Sequence, residues 1–389
     1  MKPIIRIVFS FITTLSFSQN SHEGIVLEAD DRLPIEFVNV YNSKESTTTN
    51  EEGRFSFSSS LDSIFFYRPG YDKLATTFNK INDTVYLKRS LFELDEVVVT
   101  NAKSIYQKIK DSVAQNYLLK PHTETFFLRV TLRKNRDLIR FQDFYGKVRR
   151  KTSIYAGSLE LEKDDFQIQL EHMRKVGISK EANGIYFTFP SFDNIYKEFV
   201  RINAMGPSFE VIEKPFTDSE NIKVEFEFEN NGEGTETYGD YIINGADNAI
   251  LSFNVLYKPY YKTTPDLDKH SSRVIKSEVS VNFTEDLQRE RYYIKSAKRN
   301  ISFQIKNEKQ THLDDYEMDI NLYTLNSFGT GEIKSNINEQ KDIFKIKHTY
   351  DEVFWRNQKQ LLLSDEMLKF IESSQNKNKG YKISSNLKN

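Results

Sequence analysis

The chain has 389 residues and a formal net charge of -2, with 54 basic against 56 acidic residues. It therefore offers no global electrostatic reason to bind nucleic acid, which calls for a basic stripe to displace counterions. Cysteine is absent, which excludes disulfides, thiolate zinc sites, cysteine nucleophiles and a lipid-modified cysteine; the length allows two or three domains, and 13% aromatics, with 30 Phe and 21 Tyr, favour sheet over helix.

Residues 1–18 predict a cleavable signal peptide. Lys2 and Arg6 form a basic n-region, Ile7 to Phe17 is apolar apart from small hydroxylated residues, and Ser16-Phe17-Ser18 offers small-x-small cleavage before Gln19. The apolar run is far too short for the roughly 30 Å of bilayer hydrocarbon, so an uncleaved anchor is the poorer reading. No later stretch is long and apolar enough for a transmembrane helix. The expected location is the periplasm or the periplasmic face of the outer membrane.

Residues 19–90 predict a small β-sandwich. Gly24 to Glu28, Phe37 to Asn42, Thr47 to Thr49, Arg54 to Phe57, Ile64 to Tyr67 and Thr84 to Leu87 read as short strands, with turn signals at Asn50-Glu51-Glu52-Gly53 and Pro69-Gly70-Tyr71. Phe37, Val40, Phe55 and Phe57 are the expected core. The pieces Gly24-Ile25-Val26, Leu33 to Tyr41, Thr48 to Phe55 and Gly70-Tyr71 together resemble the carboxypeptidase regulatory-like, transthyretin-like (prealbumin-like) β-sandwich. That resemblance implies a docking module whose glycines sit where turns need positive φ or close backbone approach.

Residues 91–121 predict a linker and a helix. Leu91 to Thr100 (LFELDEVVVT) is similar to the segment that follows this sandwich in Bacteroidetes TonB-dependent receptors, ahead of a plug and barrel. Too few residues follow Thr100 for a plug and a barrel of about 22 strands, so Val97-Val98-Val99 reads as a linker docked on the second domain or as the last strand of the sandwich. Addition to a partner's sheet edge is the alternative. Ala102 to Tyr117 reads as an amphipathic helix, with Ile105, Ile109, Val113 and Tyr117 at i+4 spacing and Pro121 beyond its end.

Residues 122–350 predict a large, curved antiparallel sheet with one apolar and one wet face, packed around one or two helices. Val224, Phe226 and Phe228 alternate with Glu225, Glu227 and Glu229; Val279, Val281 and Phe283, then Met318, Ile320 and Leu322, repeat the pattern. Asn231-Gly232 and Asn244-Gly245 mark hairpin turns. The layout weakly resembles the half-barrel of periplasmic lipoprotein carriers. Residues 351–372 predict a C-terminal helical segment capped at Ser364, and 373–389 a disordered tail. The whole arrangement is similar to carboxypeptidase-like regulatory domain-containing proteins of Bacteroidetes.

Catalytic and metal constellations are sparse. The histidines (His22, His122, His172, His270, His312, His348) show no metallopeptidase spacing, and neither Gly157-Ser158 nor Gly329-Thr330-Gly331 has the context of a nucleophile elbow or phosphate loop. Asp164-Asp165, Asp314-Asp315 and the Glu225/Glu227/Glu229 face could hold calcium or do acid-base work, but solvated edge charge explains them with fewer assumptions. Tyr257/Tyr260/Tyr261 and Tyr292/Tyr293 could stack sugars and read more simply as cross-strand pairs. No catalytic, cofactor or metal residue is assigned, and no cofactor is expected. The sequence points to a non-enzymatic, mainly β envelope protein that binds or scaffolds an envelope protein partner, or an apolar or glycan ligand. A lipid or lipoprotein carrier and a hydrolase with a dispersed site are the alternatives.

Overall fold

The computed structural model describes residues 20–92, 98–117, 121–150, 166–178, 185, 187–188, 210–228, 234–260, 272–286, 289–306, 313–329, 331–338, 341–375 and 383–387. Seven short strands come first: β1 (Asn20–Glu28), β2 (Asn39–Tyr41), β3 (Ser46–Thr48), β4 (Arg54–Ser59), β5 (Ser63–Tyr67), β6 (Leu74–Thr77) and β7 (Thr84–Leu87). They form a three-stranded sheet, β4-β1-β7, and a four-stranded sheet, β3-β2-β5-β6. Val26, Val38, Val40, Phe55, Ile64 and Phe66 are fully buried between the two, the sandwich that the turn spacing predicts. Gly53 sits at φ +73, and a Cβ there would lie 2.5 Å from the Val26 carbonyl oxygen, so both backbone conformation and close approach demand glycine.

Phe37 departs from expectation. Its φ of 64 turns the side chain out of the sandwich, and it joins Phe127, Tyr323, Trp355 and Leu361 in a separate buried cluster against the second domain. The ring that reads as core is instead a peg.

The remaining strands make one twelve-stranded antiparallel sheet. They are β8 (Val98–Asn101), β9 (His122–Lys134), β10 (Asp137–Arg150), β11 (Phe166–Ile178), β12 (Glu210–Pro215), β13 (Asn221–Phe228), β14 (Gly234–Asn244), β15 (Ile250–Tyr260), β16 (Ser272–Asp286), β17 (Arg291–Lys306), β18 (Leu313–Gly329) and β19 (Ile383–Ser385). The order is β19-β11-β10-β9-β18-β17-β16-β15-β14-β13-β12-β8. A meander of β9 to β11 runs one way, and β12 to β18 returns from the far edge to seat β18 beside β9. Val98 and Val99 pair with Glu213 and Ile212 of β12, so this part of the valine run is a linker strand docked on the second domain. Val97 lies outside the described residues.

Helix α1 (Ala102–Asn116) lies on the inner face. Ile105, Ile109, Val113 and the following Tyr117 are 4% exposed or less and join the main core with Leu128, Val130, Phe253, Val281 and Leu322. The i+4 spacing puts one apolar stripe toward the sheet. Tyr117 closes the stripe with a polar tip, its hydroxyl donating to the Ile250 carbonyl at 3.0 Å and accepting from the Ile250 N–H at 2.7 Å. At Gly239 a Cβ would fall 2.3 Å from the Phe226 ring, so glycine lets that ring lie flat across β14.

Two expectations change at the outer face and the C-terminus. Strand β9 is buried on both faces from His122 to Leu132, because the sandwich and the C-terminal segment cover what alternation alone reads as a wet side. That segment holds a short 3-10 turn (Ile343–Lys345), α2 (Glu352–Asn357) and α3 (Asp365–Gln375). The expected disordered tail contributes β19, which pairs with β11 through Ile383 and Ile178.

Candidate functional site

Outward residues of neighbouring strands fall opposite one another, and here they align in one polar row: Arg174, Asp143, Arg129, Asn321, Lys298, Ser280, Asn254, Asp240 and Glu225 occupy successive strands from β11 to β13. The sandwich and C-terminal segment cover one half of this row. The other half is open.

The covered half is basic and takes acids and carbonyls from its cover. Asp143, fully buried, accepts from Arg129 Nε and Nη2 at 2.8 and 3.0 Å and from Arg174 Nε at 2.8 Å. Arg129, itself 2% exposed, reaches past it to the carbonyls of Leu362 and Leu361 at 2.8 and 3.2 Å, and the Arg174 guanidinium lies 4.5 Å from the Trp355 ring centroid. Lys298 binds Glu36 of the sandwich at 2.8 Å, and Arg133 binds Asp319 and Glu366. The C-terminal strap, α2 to α3 with the segment joining them, is also tied to the sandwich: Thr47 donates to the Lys359 carbonyl at 3.0 Å, and Arg54 grips Asp365 through two bonds. The bidentate, buried Arg129–Asp143 pair gives orientation as well as attraction.

Lys295 stands at the same junction, its Nζ donating to Ser46 Oγ at 2.9 Å and to the Thr324 carbonyl at 3.3 Å. Burial pushes its ammonium from 10.5 down to about 8. Below pH 8 the folded and unfolded chains both hold the proton; between pH 8 and 10.5 the folded chain sheds it first. Stability therefore rises with pH across that window, by about 3 kcal/mol at most, and is lost again as pH falls through 8. Lys295→Met is expected to flatten this rise in urea titrations at about pH 7 and about pH 9.5, and an undiminished rise would assign it to other groups.

The open half is acidic. A cleft of about 680 Å³ over β12 to β16 is lined by Ile212, Tyr238 and Leu256 together with Glu225, Glu227, Asp240 and Glu278, with Lys214, Lys223 and Lys276 beside three of these carboxylates. Burial pushes Glu225 up, but hydrogen bonds from Lys214 at 2.6 Å and Lys223 at 2.9 Å outweigh it and hold the carboxyl below its ordinary value. Burial raises Asp240 against the pull of Lys223. Glu227 and Glu278 are exposed.

The other residues singled out from sequence are dispersed. His22 lies 4.0 Å from Asp83, His122 3.5 Å from Glu124 and His172 3.6 Å from Asp351, on three different strands; His348 contacts its own neighbour's carbonyl. Among the described residues no group of three or more His, Asp or Glu is placed to hold a metal ion. Asp314 pairs with Lys134, and Asp315 accepts from Gln304. Tyr292 packs in the main core and donates to Asp247, while Tyr257 is half-buried against that core. His270, His312, Asp164-Asp165, Gly157-Ser158, Glu229, Thr330 and Tyr261 lie outside the described residues. Sequence inspection misses the Arg129–Asp143–Arg174 centre; its only signal is a lone Arg inside the apolar run Phe126-Phe127-Leu128-Arg129-Val130.

No helix among the described residues is long and apolar enough to cross a membrane. No family model matches the chain, and no curated protein does. Among solved structures, a Vibrio parahaemolyticus domain described as outer membrane lipoprotein-sorting aligns with 60% of this chain and 96% of its own at 11% identity and a TM-score of 0.28. A likeness of that size carries no argument about activity.

Proposed function

We propose that this chain is a non-enzymatic, exported envelope protein that binds or scaffolds a protein partner on the open, acidic half of its large sheet. The two halves of the outer face carry the reading together. The basic half already recognises acids, Glu36 on Lys298 and Glu366 on Arg133, presented by the sandwich and strap. The acidic half, with Ile212 and Leu256 among its carboxylates, is the complement of a segment that presents Lys or Arg around an apolar residue. The sandwich and strap then act as a fixed frame. Lipid carriage would place its ligand on the inner face, where Ile109, Val113 and Tyr117 are packed against the sheet; α1 would have to leave first.

A photo-crosslinking residue at Leu256 in the full-length protein, expressed in its own envelope, is expected to capture one protein identified by mass spectrometry. The same residue at Leu33 on the sandwich surface should not. Glu227→Lys with Glu278→Lys should abolish the Leu256 adduct without changing the melting temperature. An adduct that survives the charge reversal, or none at all, would sink the reading.

A further inference from the structure

A second cleft, of about 490 Å³, opens where three parts of the molecule meet. Ser46 and Thr47 of β3 and Ser56 and Ser58 of β4 form one wall, Leu325 of β18 the base, and Asn357, Gln358, Lys359 and Gln360 of the strap the other wall. Junctions between separately folded units are common ligand sites, and this volume lies in the usual range. The lining is unlike that of an apolar pocket. Hydroxyls and carboxamides are the larger part of it, beside Phe57, Leu325 and the charged Lys44, Glu45 and Lys359.

The hydrogen bonding in this cleft has a direction. Ser46 Oγ accepts from Lys295, so its own hydrogen is left to donate into the cleft. Gln358 Oε1 accepts from the Gln360 N–H at 2.7 Å, which turns the Gln358 amide nitrogen outward as a donor. Thr47 Oγ1 contacts the carbonyls of both Lys359 and Gln360, at 3.0 and 3.2 Å, which holds the strap backbone in register under its side chains. Glu45 accepts from Ser59 at 2.5 Å, Lys44 donates to Ser60 at 3.4 Å and Lys359 pairs with Glu23 at 3.3 Å, so charges of opposite sign stand side by side here and give the cleft no net sign. A carboxamide offers one donor and one acceptor side by side, and this is the complement of two adjacent hydroxyls, each of which donates and accepts.

We infer that this junction cleft is a binding site for an uncharged, polyhydroxylated ligand, a short neutral glycan segment, held by the Asn357, Gln358 and Gln360 amides and by Ser46. The ligand would touch the sandwich, the sheet and the strap at once, so its binding would also tighten their association. The site is separate from the acidic cleft over β12 to β16.

The test uses the full chain, fluorescently labelled, on an array of neutral and acidic glycans, followed by calorimetric titration with the neutral oligosaccharide it retains best. The expected result is retention of a neutral glycan, with affinity unchanged by added salt and about tenfold weaker in each of Asn357→Ala and Gln360→Ala, the loss of roughly one directed hydrogen bond pair. Asn357 is exposed at the end of α2 and Gln360 half-buried beyond it, and unchanged melting temperatures will show that the fold survives. Glu227→Lys with Glu278→Lys should leave this binding intact, which separates the failure of the glycan site from that of the partner site. Retention of acidic glycans alone, no retention of any glycan, or full affinity in both alanine variants would overturn the inference.

Discussion

Asp143→Asn is expected to destabilise the protein by about 3–5 kcal/mol, the usual cost of leaving buried charge without its partner. Two guanidiniums, Arg129 and Arg174, are anchored on this one carboxylate, and it is fully buried. Neutralising it strands both cations under the strap. Removing the whole centre is expected to cost much less: Arg129→Met, Asp143→Leu and Arg174→Leu together should recover most of the loss, since apolar side chains of similar volume suffer no desolvation. The chain's single tryptophan, Trp355, stands against Arg174, so its fluorescence reads the junction while far-ultraviolet circular dichroism reads the sheet. A loss below about 1 kcal/mol for Asp143→Asn would mean that solvent reaches the centre.

Trp355→Ala is expected to cost about 3–5 kcal/mol and to release the strap before the sheet unfolds. The indole is 4% exposed and packs edge-on to Phe127 at 6.2 Å and to Phe354 at 5.0 Å, with Arg174 over its face. Phe37 and Leu361 belong to the same cluster, so the cavity left behind loosens the sandwich's peg as well as α2. Limited proteolysis should then cut between Gln358 and Ser364 under conditions where the wild-type chain resists. Equal resistance in the two proteins would show that the hydrogen bonds of Arg129 and Thr47 hold the strap unaided.

How much of this was legible beforehand depends on which surfaces cover one another. Alternation at Val279, Val281 and Phe283 and at Met318, Ile320 and Leu322 identified the inner face, and the i+4 stripe of α1 identified what lies on it, because both patterns follow from local geometry. The outer face of β9 was misread for the same reason. Arg129, Thr131 and Arg133 are polar by type but buried or nearly so, since residues more than 230 positions later, such as Leu361 and Leu362, come back to cover them. Phe37 was misplaced because a left-handed φ at a bulky residue is not written in its side chain. The acidic stripe at Glu225 and Glu227 was visible in sequence, but its lysine partners on β12 and β13 and its place in a row shared with Arg129 were not.

The burial of β9 on both faces has a consequence for the order in which the molecule can assemble. β9 pairs with β18, so the middle of the sheet cannot close until the chain has been made past residue 325. Its outer face cannot close until the strap is made later still. The sandwich needs only its own residues and can fold as soon as they emerge. Long-range pairing of this kind is slow, and the strap's share of the weld between the sandwich and the sheet forms last. Until then the Arg129 row lacks the strap's share of its cover, so losing the C-terminal segment should loosen the sandwich on the sheet, leaving Phe37 against Phe127 and Tyr323 and the Glu36–Lys298 and Ser46–Lys295 bonds as their joint.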